Sequence, residues 1–152
     1  MEAELKGELY SVKVDIYEWV IENIEKGQIK FSVQDIISGI RMLLDVAADA
    51  MKKQGCGGRI FLLRRRVPVK LIEIGGPGSA YEEYGQYSPE SEVIEIFSRF
   101  ILSTSDSITE FLDGIACEIC TALNDEISPR VARDFAKEVD KILESIQSCD
   151  QH

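Results

Sequence analysis

The sequence predicts a mainly α-helical α+β protein: N-terminal helices, a small antiparallel β-hairpin, then a C-terminal antiparallel three-helix group. Three observations carry this expectation. Apolar residues recur at helical spacing over most of the chain. One segment, Arg59–Ile74 (RIFLLRRRVPVKLIEI), reads clearly as β. Glycine, serine and proline clusters separate the periodic stretches at intervals that suit short connections.

From Ser11 onward, Val12, Ile16, Trp19, Val20 and Ile24 fit one face of a helix over Val12–Lys26, and Gly27 follows as a stop. A strand competes over Tyr10, Val12, Val14 and Ile16, which alternate, but Trp19–Ile24 do not. Ile29, Phe31 and Val33 suggest a short strand. Ser32, with Asp35 three residues on, suits a helix N-terminus. The helix it opens runs to Lys53 unless Gly39 divides it, and Gly55-Cys56-Gly57-Gly58 ends it.

Sixteen residues exceed an ordinary strand, so Arg59–Ile74 is expected to fold as a hairpin turning near Arg64–Pro68. A loop from Gly75 to Ser88 follows. Ser88-Pro89-Glu90 then reads as the start of a helix carrying Val93, Ile94, Ile96, Phe97, Phe100 and Ile101. Ser107 with Glu110 forms a capping-box pattern ahead of the stripe Ile108–Leu123, and Ser128-Pro129 opens the last helix. Short links make these three helices antiparallel neighbours.

A chain of 152 residues fits a single domain over 1–152, divisible into a helical and hairpin half (1–75) and an acidic helical half (88–152). Its 45% apolar and 29% charged residues are ordinary globular values. No run approaches the roughly 18 apolar residues of a membrane span. The opening MEAELKGELY lacks the apolar core of a secretory signal, so a cytoplasmic location is expected. The cysteines Cys56, Cys117, Cys120 and Cys149 are then expected to be reduced.

The net charge of −10 is unevenly spread. Residues 1–75 carry 12 Lys/Arg against 11 Asp/Glu, whereas residues 76–152 carry 5 against 16. No acid lies between Ala50 and Ile72, a stretch with seven basic residues. Such sectoring suits either an external partner for the basic part or contact between the halves.

Three successive arginines on a projecting hairpin could grip phosphates. The nucleic-acid candidates are therefore Arg64, Arg65, Arg66 and Lys70, with Lys52, Lys53 and Arg41 from the preceding helix. Helix, short strand, helix, break at Gly39, helix and basic hairpin together resemble a winged helix-turn-helix DNA-binding domain. The phrase GQIKFSVQDI is similar to that family's passage from its first helix to its second. The resemblance covers about residues 12–74 and rests on element order. It implies that Arg41–Lys53 enters the major groove, with Asp45 and Asp49 on the same polar face as Arg41 and Lys52.

The loop GGPGS offers Gly75, Gly76, Gly78 and Ser79 as a candidate anion cradle, since free backbone N–H groups can hold phosphate. It lacks GK[ST] and GxGxxG, and acidic AYEEYG follows, so a connector is the plainer reading. Cys117-Glu-Ile-Cys120 has no second pair nearby, and the one histidine is His152, so structural cysteines are expected rather than a metal site. No catalytic set is visible: no internal histidine serves a serine nucleophile, and the helical carboxylates have no Glu-x-x-His companion. No cofactor and no membrane contact are expected.

These readings converge on a non-enzymatic regulatory or accessory protein that contacts nucleic-acid phosphates and self-associates, as a dimer, through its acidic helices. The alternative is a protein–protein assembly module that ignores nucleic acid. A third reading is a small-anion or nucleotide binder using Gly75–Ser79.

Overall fold

The computed structural model describes residues 1–16, 18–67, 85–88, 93–97 and 108–150. The protein is a mainly helical α+β structure, as the sequence predicts. The elements in order are β1 (Glu2–Lys6), β2 (Tyr10–Ile16), α1 (Glu18–Glu25), α2 (Val33–Lys53), β3 (Phe61–Val67), β4 (Gly85–Ser88), β5 (Val93–Phe97), α3 (Ile108–Glu126) and α4 (Pro129–Asp150). The strands form one sheet in the order β1-β2-β3-β5-β4. Both outer pairs are antiparallel, whereas β3 pairs parallel with β2 and with β5.

The antiparallel hairpin is built from β1 and β2, not from the basic segment. Residues 10–16 follow the alternating reading: Tyr10, Val12, Val14 and Ile16 are buried, and Lys13 between them is exposed. Helix begins only at Glu18, because pairing with β3 decides a stretch whose apolar positions fit either period. Residues 29–33 form no strand. Gly27 turns the chain at φ 79°, the backbone N–H groups of Gln28 and Ile29 bond to the Asn23 carbonyl, and Phe31 packs on Phe111 at 5.2 Å between ring centroids.

β3 runs unbroken through Arg64–Arg66, so the turn expected there does not occur within Phe61–Val67. Being paired on both sides makes it the central strand. Pro68 lies outside the described residues. Val93–Phe97, expected as helix, is strand β5, a second parallel neighbour for β3. The apolar run Val93, Ile94, Ile96, Phe97 suits either structure over so few residues, and the available edge of β3 selects strand. The expected three-helix group is thus a helix pair, α3 and α4, among the described residues.

Ser32 caps α2 with a reciprocal capping box: its hydroxyl accepts from the Asp35 N–H at 3.0 Å, and the Asp35 carboxylate accepts from the Ser32 N–H at 2.9 Å. The helix passes through Gly39 without a break. Gly39 instead lies against α3, where a Cβ would overlap the side chain of Leu112. Gly55 ends the segment at φ 76°, the left-handed region in which glycine carries no steric penalty.

α2 lies on β2 and packs against both α3 and α4, while α3 also touches β5. One continuous core results, running from Leu5 through Val14, Leu43 and Ile115 to Leu143. Burying aliphatic side chains of this kind stabilises the fold by about 1.5–3 kcal/mol each relative to leaving them in water.

Candidate protein-interaction site

Backbone register places the basic candidates of β3 in three successive rows. Position 64 belongs to a row running Glu4, Lys13, Arg64, Glu95, Gln86 across the whole sheet. Position 66 is paired with Asp15 on one side and Phe97 on the other. Position 65 falls in the row of Val14, which is fully buried, and Ile96. The row that contains exposed Lys13 thus sets two adjacent basic positions, 13 and 64, between Glu4 and Glu95.

The basic candidates of α2 lie elsewhere. Lys52 is paired with Glu8 at 3.0 Å, which ties the end of α2 to the β1–β2 turn beside the start of β3. Arg66 is five residues beyond Phe61, about 17 Å along the strand. Lys53 borders a cleft of 300 Å³ between α2 and α4 that also presents Asp49, Asp134, Lys137 and Glu138. Arg41 adjoins the Tyr10–Asp45 hydrogen bond, in which the phenol donates at 2.7 Å. Burial, then that bond, holds the Tyr10 phenol above its usual range, and Arg41 pulls the other way. Lys70, Gly75, Gly76, Gly78 and Ser79 lie outside the described residues.

A groove of 570 Å³ lies between α3 and α4. Ala116, Cys120, Ala132, Phe135 and Val139 supply its apolar floor, and Cys117 and Ala136 sit at mid-length. The local sequence explains it. Phe111, Ile115, Ile119 and Leu123 form the core stripe of α3, while Asp113, Cys117, Cys120 and Asn124 form a second stripe on another side. α4 repeats the device with Val131, Phe135, Val139 and Leu143 in the core and Ala132, Ala136 and Asp140 toward the groove. Its Asp134 side is held to α2 by a hydrogen bond donated by Gln54. Small residues on facing turns leave the space that larger ones would fill.

The groove is electrically directional. Asp113 and Asp140 stand near one end, and Arg133 lies seven residues from Asp140 along α4, about 10.5 Å away and on nearly the same face. All three are exposed.

Both thiols in the groove are held protonated. Partial burial pushes Cys117 and Cys120 above the usual thiol range, and Asp140 adds to both, with Asp113 contributing at Cys117. Cys120 also donates to the Ala132 carbonyl at 3.5 Å. Such thiols are poor nucleophiles. Among the described residues no group of three or more His, Cys, Asp or Glu side chains is placed to hold a metal ion, and no helix is long and apolar enough to cross a membrane.

The groove was not anticipated from sequence, although its signal is present in the two double-striped helices. Cys117 and Cys120, expected as structural cysteines, line the groove with Cys117 exposed; the signal for the groove is Ala116 and Thr121 beside them and the matching Ala132/Ala136 spacing. No protein-family model matches the sequence, and no curated protein or solved structure matches it.

Proposed function

We propose that this protein is a non-enzymatic assembly module that binds another polypeptide through the groove between α3 and α4. The groove itself carries this reading: a concave face lined by small residues over a buried apolar floor, with exposed Asp113 and Asp140 at one end and exposed Arg133 beyond mid-length. A partner helix laid into it would cover exposed Cys117 and half-buried Cys120 and Ala136 and take its orientation from Asp113, Arg133 and Asp140. The test is selection of a displayed library of helical peptides on the purified protein. Peptides with spaced apolar anchors should be enriched, and their binding should be lost in Ala136→Glu but kept in Lys13→Glu. An empty selection, or binders indifferent to Ala136→Glu, would remove the reading.

A second reading, contact with nucleic-acid phosphates, is favoured by exposed Lys13 standing in register with Arg64. Glu4 and Glu95 flank that pair in the same row, which weakens the field it can present to phosphate.

A further inference from the structure

We infer that the α3–α4 face bearing the groove docks on the same face of a second copy of this chain, about a two-fold axis that passes near Cys117 and Ala136. The inference rests on the assembly reading above and adds the partner to it. A two-fold interface must be self-complementary: whatever stands at one end of the patch meets whatever stands at the other. The groove satisfies that condition by its charge order. Asp113 and Asp140 lie toward one end and Arg133 toward the other. Turning a second copy by half a revolution about the mid-groove puts Arg133 of each chain over the acidic end of its partner, and α4 meets α4 antiparallel. A parallel arrangement would stack Arg133 on Arg133 and acid on acid.

The middle of the groove suits close approach. Cys117, Ala136 and Ala132 leave little side-chain bulk between the helices, and exposed Cys117 with half-buried Cys120 and Ala136 are the surface a second copy would cover, since Phe135 and Val139 beneath them are already buried. Cys117 is exposed and lies four residues beyond Asp113, near the centre of the groove. In the docked pair its two copies face each other across the axis. The Asp134–Glu138 side of α4, bordering α2, takes no part.

The experiment uses the full chain in three measurements. Sedimentation equilibrium up to about 200 μM should show a monomer–dimer equilibrium for the parent. Arg133→Asp and Asp140→Arg should each weaken dimerisation by about tenfold or more, and the double variant should return to within about threefold of the parent, because it restores opposite signs across the axis. A variant retaining only Cys117 should form a cross-linked dimer with a short bis-maleimide, and adding Arg133→Asp should suppress the cross-link. Both charged positions are exposed, so the variants are expected to fold, and recovery in the double variant separates lost contact from lost fold. A parent that stays monomeric overturns the inference. So does a dimer indifferent to both single changes, or one that the double change fails to restore. If the parent is monomeric while the selected peptides still depend on Ala136, the second-copy assignment fails and the groove reading stands.

Discussion

Gly39 of α2 lies directly against Leu112 of α3, so close that a Cβ at position 39 would overlap the leucine side chain. Both residues are buried, and Leu112 is held within the core. Alanine at 39 would gain about 0.5–1 kcal/mol from helix propensity. It would also force Leu112 or the helix to move, at a typical cost of 1–3 kcal/mol for overpacking. Gly39→Ala should therefore destabilise by about 1 kcal/mol, and Gly39→Val by considerably more. Urea unfolding of Gly39→Ala, Leu112→Ala and the pair gives a sharper check. The pair should be more stable than the two single losses summed, since the smaller residue at 112 admits the new methyl.

Tyr10 and Asp45 join the start of β2 to the middle of α2 by a hydrogen bond of 2.7 Å. Tyr10→Phe should cost about 1 kcal/mol, the figure for an ordinary hydrogen bond, because Asp45 is exposed and water can replace the phenol. The sign of the pH dependence follows from the raised phenol. The stabilisation is fully present below the ordinary tyrosine value of about 10 and is lost as pH rises through the folded value. Urea midpoints of parent and Tyr10→Phe should therefore differ at pH 7 and converge only as pH rises from about 10 through the raised folded value. A constant difference would show that the phenol contributes packing only.

Cys117 and Cys120 should react slowly with iodoacetamide at neutral pH and accelerate only above the usual thiol range of about 8.5. Their contribution to stability has the same sign: present below that range, lost as pH rises through the folded values. Asp140→Asn removes an acid that raises both, so it should shift their alkylation profiles toward lower pH. The shift should be modest, because partial burial is the larger cause at each thiol. Mass-spectrometric alkylation rates between pH 7 and about 10 provide the check.

The helices were the legible part of the sequence. Stripes of three to six turns fix α2, α3 and α4, and Ser32–Asp35 and Ser128 mark two of their starts, with the Ser128 hydroxyl accepting from the Val131 N–H. The sheet was harder, because its ambiguous members are short. Tyr10–Ile16 and Val93–Phe97 are settled by the two flanks of β3, a long-range effect that no window of five to seven residues contains. Gly39 misleads for the same reason. Its local meaning is a weak point in a helix; its actual use is contact with a residue 73 positions away. The three arginines look like one cluster in sequence, yet strand alternation assigns neighbouring positions to opposite faces. The groove escaped notice because nothing in a stripe of alanine and cysteine says whether another helix covers it.

The row structure of β3 yields the last prediction. Position 65 shares its row with buried Val14, and position 64 shares its row with exposed Lys13. A carboxylate introduced at 65 should therefore destabilise by more than about 2 kcal/mol, whereas one at 64 should stay within about 1 kcal/mol of the parent. The same pair tests the nucleic-acid reading. If phosphates bind along the Lys13 row, affinity for a short duplex should fall steeply between about 50 and 200 mM salt, and Lys13→Glu and Arg64→Glu should each reduce the slope by about 1. Lys52→Glu should leave the slope unchanged, because Lys52 already answers Glu8 in the β1–β2 turn, off the end of that row's strands. Absence of binding at low salt, with the position-65 effect still present, would leave the arginine row a feature of the fold and not of recognition.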